Sequence, residues 1–356
     1  MQEDPSNKNL EEKSEQDLIS HQSVVVDPHQ EPTRIDKFLM TKLQKVSRNR
    51  IQNAIRAGAI TVDKKTIKPN FKIKGGHTID MVFPKFHDDG DIPHADNIPL
   101  DIVYEDDYLL VVNKKAGMVV HPGVGNPRNT LVNALRFYFQ DKELPTMEGN
   151  NPNQVGLVHR IDKETSGLLV IAKTEFAMSH LAKQFFDHSI ERSYQAIVWG
   201  EPNPSEGTVN VHIGRNPKHR ILRHAFPDGS EGKHAITHYK MLEDMYYVSL
   251  IECKLETGRT HQIRVHMNYL GNPLFNDKRY GGDRVRKGTI YSKYKQFVDN
   301  CFKLCSRHAL HAKSLGFIHP HTEEKMFFDS PLPEDMASCL NQWRTYVADK
   351  RFKKGL

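Results

Sequence analysis

His159-Arg-Ile-Asp-Lys-Glu-Thr-Ser-Gly167 runs directly into Leu168-Leu-Val-Ile-Ala172. The second stretch is short, continuous and apolar, the mark of a buried strand, and the first is a polar turn leading into it. Arg160 and Asp162 therefore stand on a loop at the end of a rigid element, where a scaffold can aim a reactive group.

The chain has 356 residues, 38% hydrophobic and 26% charged, which predicts two or three soluble globular units with a substantial core. There is no apolar run of bilayer-crossing length and no basic-then-apolar start, so a cytoplasmic protein without membrane association is expected. Four cysteines and no export signal argue against a disulfide framework. Cys301, Cys305, His308 and His311 lie close in sequence but match no familiar zinc spacing. Buried thiols and ordinary histidines are the plainer reading, and no metal is expected.

The formal charge is +6, and the two signs are segregated. Residues 1–33 are acidic and poor in apolar side chains apart from Val24, Val25 and Val26, which reads as a disordered tail. Residues 34–85 read as a compact first domain. Ile35, Phe38 and Leu39 share one face of a helix, and Ser47 is placed to cap a second helix whose Ile51, Ala54 and Ile55 point inward. Gly58 stops that helix, and Ile60 to Val62 and Thr66 to Ile67 form short strands around Asp63-Lys64-Lys65.

Lys37, Lys42, Lys45, Arg48, Arg50, Arg56, Lys64, Lys65, Lys68, Lys72 and Lys74 face few acids in this small unit. One sign recurring on a helix and the following hairpin suits a phosphate-tracking surface, whereas a lone charged helix would be only a solvated face. The order Arg34-Ile-Asp-Lys-Phe-Leu39, Ser47-Arg48, Ile51-Gln-Asn-Ala-Ile-Arg-Ala-Gly58 and a short β turn resembles the S4 domain, a small α/β RNA-binding fold. The resemblance implies that Arg48, Arg50 and Arg56 meet structured RNA.

After a linker over 86–97, a second domain is expected over 98–345, with a basic C-terminal tail over 346–356. Leu100 to Asn113 reads as two strands joined by a polar turn, Lys114 to Gly123 as a turn-rich loop, and Thr130 to Phe139 as a helix. The glycines there serve turns, and no phosphate-cradling or dinucleotide pattern is present. Thr174 is placed to cap a helix bearing Ala177, Leu181 and Phe185. In the strand Ile190 to Trp199, period two puts Arg192, Tyr194, Ala196 and Val198 on one face. Arg259, His261, Arg264 and His266 then crowd one segment beside a single acid, Glu256. A core strand would not tolerate those cations without a partner, and Asp162 is the natural one.

His159 to Gly167, Arg192-Ser-Tyr-Gln-Ala-Ile-Val-Trp-Gly200 and Thr257-Gly-Arg-Thr-His-Gln-Ile-Arg-Val-His266 together resemble the RluA-type pseudouridine synthases. The likeness continues through Leu270-Gly-Asn-Pro-Leu274, Lys278-Arg-Tyr-Gly-Gly282, Leu310-His-Ala312 and Phe317-Ile-His-Pro320. It implies an α+β protein whose second domain is a mixed, mainly antiparallel sheet with flanking helices and a cleft across its middle. It implies isomerisation of uridine to pseudouridine in RNA, with neither metal nor organic cofactor.

By the same resemblance Asp162 is the catalytic carboxylate, Arg264 its ion-pair partner and Tyr194 the ring that packs on the target base. Arg160 fills the space left by the extruded nucleotide, and His159, Arg259 and His261 join the substrate-binding set. The S4-like domain in front points to large-subunit ribosomal RNA or a ribosome assembly intermediate as partner, bound by a monomer. Nucleophilic and elimination routes at the sugar stay open. Ile161 stands where leucine is common, and Lys115 where proline is usual.

Two other classes compete. A hydrolase would need flanking carboxylates, and Asp162 with Glu164 is a weak pair. A catalytically silent RNA-binding protein would use the basic first domain equally well but has no need of Asp162, Tyr194 and Arg264 together.

Overall fold

The computed structural model describes residues 18–43, 46–84, 94–123, 125–140, 156–219 and 221–354. The first unit is built from β1 (Ile19–Val25), β2 (Thr33–Arg34), α1 (Ile35–Lys42), α2 (Arg48–Arg56), β3 (Ile60–Val62), β4 (Lys65–Thr66), β5 (Lys72–Ile73) and β6 (Thr78–Pro84). The strands make a sheet in the order β1-β6-β3-β4 and a separate β2-β5 pair. Ile35, Leu39, Ile51, Ala54, Ile55, Ile60 and Ile79 are fully buried between the helices and the sheet. Ser47 accepts the Arg50 N–H at 3.2 Å, which caps α2. Asp63 and Lys64 both take positive φ, the two-residue turn that the β3–β4 hairpin requires.

The second unit contains β7 (Ile102–Glu105), β8 (Leu109–Lys114), α3 (Leu131–Gln140), β9 (Gly156–Leu157), β10 (Ser166–Ala172), α4 (Glu175–Phe186), β11 (Glu191–Trp199), β12 (Glu206–Arg215), β13 (Arg223–Phe226) and β14 (Lys233–Asp244). It continues with β15 (Val248–Leu255), α5 (Gln262–Tyr269), α6 (Ser292–Leu304), β16 (Leu310–Ile318), β17 (Lys325–Asp329) and α7 (Glu334–Lys354). One sheet runs β13-β12-β14-β15-β11-β16-β10-β8-β7, with β17 on β16 and β9 on β10. Every joint is antiparallel except β10 to β16, which pairs Ser166 with His311 and Gly167 with Ala312. Leu110, Leu169, Tyr194, Ala196 and Ile251 share one core with residues of α3 and α5. The other face divides into a core with α4 and a core with α6 and α7.

The polar turn enters the sheet at that single parallel joint. Gly167 has φ +118°, and a Cβ there would lie 2.3 Å from the Ala312 carbonyl oxygen, so only glycine lets β10 and β16 close at this point. The cross-strand register carries the row onward from Gly167 through Ala312 to Tyr194.

Several sequence expectations are corrected. Residues 1–17 lie outside the described residues, but the rest of the acidic segment is built into the fold. β1 pairs with β6 from Ile19↔Pro84 to Val25↔Thr78, and Val26 is fully buried. The partner strand lies far along the chain, so local composition concealed it. Of the linker, 94–97 belong to the second unit: Asp96 pairs with Arg128 at 2.7 Å, and Asn133 donates to the His94 carbonyl. Residues 346–354 continue α7 rather than forming a tail, and Val347 packs in the α6–α7 core. Arg264 stands on a helix, not a strand, because the chain turns at His261, φ +58°, and enters α5. The β11–β16 register shifts between Ser193 and Tyr194, and the Arg192 guanidinium lies 5.2 Å over the Phe185 ring of α4, away from Tyr194. Among the described residues no helix is long and apolar enough to cross a membrane.

Candidate active site

Asp162 sits on the turn between β9 and β10, closed by the Thr165 N–H donating to the Asp162 carbonyl at 3.1 Å. Its carboxylate keeps 24% of its side-chain surface open to solvent, while Arg264 beside it keeps 5%. Arg264 Nη1 donates to Asp162 Oδ2 at 2.9 Å, and its remaining edge is taken by Asp277, Nε to Oδ2 at 2.7 Å and Nη2 to Oδ1 at 2.9 Å. Asp277 is itself pinned by the Arg279 and Tyr280 backbone N–H groups. One buried guanidinium thus joins an anchored carboxylate to an open one. His261 Nε2 lies 3.9 Å from Asp162 Oδ2, and its Nδ1 is 2.8 Å from the Tyr280 hydroxyl.

Burial alone would raise the Asp162 pKa, but His261 and Arg264 hold it well below the usual carboxylate range. Burial likewise opposes the charge on Arg264, yet Asp277 and Asp162 outweigh it and lift its pKa above the ordinary value. His308 is pushed down to about 3 by burial and then by Arg264, so it is neutral near pH 7 and the lasting cation is the guanidinium. The arrangement presents an ionised, partly exposed carboxylate beside a buried guanidinium, fit to attack carbon or accept a proton.

A cation that the sequence did not single out, Lys114, holds the turn from behind. Lys114 Nζ donates to the carbonyls of Lys115, Met118 and Lys163 at 2.8–3.1 Å, tying the following loop to the residue after Asp162. Burial, then Arg307, lowers the Lys114 pKa to about 7. Asp277 was missed: a buried guanidinium needs its donors filled, but nothing in the local sequence says which acid fills them.

Tyr194 is buried in the core shared with Ile161 and Ile263, on the sheet row that starts at the exit of the turn. Arg160 is half-buried and, among the described residues, takes no side-chain hydrogen bond or ion pair. Arg259 donates through Nε to the His234 carbonyl at 2.8 Å, at the edge of the site. His159 is corrected: it is 1% exposed, its Nε2 accepts the Val170 N–H at 3.0 Å, and its ring stacks on Phe185, so it faces the α4 core and not the cleft. His308 and His311 bond Thr165 and Ser166, while Cys301 and Cys305 lie in the apolar α6–α7 core, so the four do not converge.

In the first unit Asp36 is fully buried and receives both Arg34 and Arg48, the latter at 2.8 Å with 48% of its side chain exposed. Arg56 is exposed and bonds Asn53. Arg50 is corrected: α2 packs on α4, which leaves Arg50 half-buried with the charge of Glu175 beside it rather than turned to solvent. The docking is reinforced by His21 stacked on Phe186 and by Ile19, which packs against both cores.

A family model for RNA pseudouridylate synthase matches residues 108–269, and one for the S4 domain matches residues 33–79. A ribosomal large subunit pseudouridine synthase D from Zymomonas mobilis is 43% identical over 85% of this chain and 91% of its own. The chain belongs to the RNA pseudouridine synthase family. As a member it is an enzyme that isomerises uridine in RNA, with an S4 RNA-binding domain in front. An uncharacterized RNA pseudouridine synthase from Chlorobaculum parvum is also 43% identical, over 89% of this chain and 96% of its own. Among solved structures, human RNA pseudouridylate synthase domain containing 4 matches with a TM-score of 0.51 at 25% identity, covering 68% of this chain and 92% of that one. These likenesses bear out the α+β class and the order of the two domains.

Proposed function

We propose that this pseudouridine synthase acts on uridines of large-subunit ribosomal RNA, with Asp162 as its catalytic carboxylate and no cofactor. The observation that carries this reading is the half-open Asp162 held ionised at 2.9 Å from a guanidinium that Asp277 fixes in place. The N1–C1′ bond must break, the C5–C1′ bond must form, N1 must gain a proton and C5 must lose one. Whether the sugar is attacked at C1′ or loses a proton in an elimination, the group required is a carboxylate and not a carboxylic acid. Against the burial that opposes it, His261 and Arg264 favour that state.

Tyr194 packs against the flipped base from the sheet, and Arg160, which has no competing partner among the described residues, enters the space the nucleotide leaves. Unstacking a base costs a few kcal/mol, which an inserted cation meeting phosphate can offset. Arg259 and His261 line the substrate side, and Arg48 and Arg56 on the S4 domain track the RNA backbone. Relatives named as large-subunit enzymes in several bacteria support ribosomal RNA as the substrate. Mapping pseudouridines in large-subunit RNA from cells lacking the gene tests this reading. At least one site should be lost, and restored by the wild-type gene but not by Asp162→Asn. An unchanged map would overturn the assignment to ribosomal RNA.

A further inference from the structure

Arg307 lies in the short connection between α6 and β16, 6% exposed, and all five of its N–H groups are engaged. Nε donates to Asp335 Oδ2 at 2.7 Å and Nη2 to Asp335 Oδ1 at 3.1 Å, a two-point bond to the first turn of α7. Nη1 donates to the carbonyl of Glu164 at 2.8 Å and to that of Leu310 at 2.9 Å. Nη2 also reaches Ser166 Oγ at 3.1 Å. Glu164 and Ser166 are the second and fourth residues after Asp162, so this side chain spans the turn that carries the carboxylate.

The turn has one backbone bond of its own, from Thr165 N–H to the Asp162 carbonyl. Its other holds on this side come from 307–311: Arg307 on Glu164 and Ser166, His308 on Thr165, His311 on Ser166. Arg307 is the charged member of that set, and Asp335 is what fixes its plane. α7 is in turn anchored by Met336, Cys339, Leu340 and Trp343, all buried in the α6–α7 core.

We infer that Arg307 is a positioning residue: locked by Asp335 at the head of the C-terminal helix, it sets the pose of the Asp162 turn and couples α7 to the chemistry. The inference rests on the reading of Asp162 as the catalytic group. Buried behind the turn, Arg307 has no route to the RNA, so its removal should leave binding alone and slow the chemical step. Lysine cannot reproduce a planar donor that serves a carboxylate and two carbonyls at once.

The test uses the full chain with Asp335→Asn, Asp335→Glu and Arg307→Lys. Single-turnover release of tritium from [5-³H]uridine-labelled large-subunit RNA should fall about tenfold to hundredfold in Asp335→Asn and Arg307→Lys, because a shift of order 1 Å at a reacting group costs that much. RNA affinity should stay at the wild-type level, and Asp335→Glu should recover most of the rate. Hydrogen exchange of the peptide spanning 159–166 should accelerate in both slow variants while peptides from β14 and β15 stay unchanged. Asp335 is 31% exposed, so Asp335→Asn carries the test should Arg307→Lys not fold. Wild-type exchange across 159–166 in Asp335→Asn would overturn the inference. A wild-type enzyme that releases no tritium would instead defeat the reading of the site, and the exchange comparison would still decide the role of Arg307.

Discussion

Replacing Asp277 with asparagine removes one of the two carboxylates that share Arg264 while leaving the open one, Asp162, in place. Asparagine can still accept one bond from the guanidinium, so one of the two short bonds is lost together with the charge. A charge-assisted hydrogen bond contributes about 1.5–3 kcal/mol, and stripping one partner from a buried pair costs about 3–5 kcal/mol. Since Arg264 keeps Asp162, the lower end applies, and a loss of about 3 kcal/mol in urea unfolding at pH 7 is expected.

The pH dependence follows from the depressed pKa of Asp277, where burial pushes up and Arg264 pulls down more strongly. A carboxylate held below its unfolded value contributes stability that is complete above that value, about 3.9, and lost as the pH falls through the folded one. The difference between wild type and Asp277→Asn should therefore be flat from about pH 8 to about pH 5 and narrow below about pH 4. Isomerisation should slow as well, because the freed guanidinium no longer holds Asp162 from a fixed point. A stability difference below about 1 kcal/mol at pH 7 would show that Asp277 does not anchor the pair. Closure of the gap between about pH 8 and about pH 6 would assign the effect to a histidine instead.

Other perturbations separate the two domains. Gly167→Ala should destabilise the protein by about 3 kcal/mol, through a positive φ and a Cβ driven into the Ala312 carbonyl, as thermal unfolding will show. Arg48→Gln and Arg56→Gln should each reduce the salt slope of RNA binding by about 0.7–0.9, whereas Arg50→Gln, turned toward α4, should leave it unchanged.

The sequence showed what repeats locally and missed what is joined at a distance. Capping by Ser47 and Thr174 and the inward faces of α2 and α4 were legible because a helix states its period within a few residues. Period two puts Arg192, Tyr194, Ala196 and Val198 on one face, and that holds for Tyr194, Ala196 and Val198, which share a core, but not back to Arg192, where the register shifts. β1 was lost to its acidic surroundings because its stabilising ladder belongs to β6. His159 stands in a motif beside reactive residues, yet a turn can aim neighbours in opposite directions, and only the fold shows that its ring meets Phe185. Asp277 and Arg307 escaped for a related reason: each acts by filling donors or acceptors on another side chain, and no spacing records that.

Whether Asp162 performs the isomerisation is decided by tritium release. Full-length protein incubated with large-subunit RNA carrying tritium at uridine carbon 5 should release the label to water, and Asp162→Asn should bind the same RNA with near wild-type affinity and release none. Release by Asp162→Asn at the wild-type rate would contradict the assignment of the carboxylate. Binding by the wild type without any release would contradict the enzymatic account.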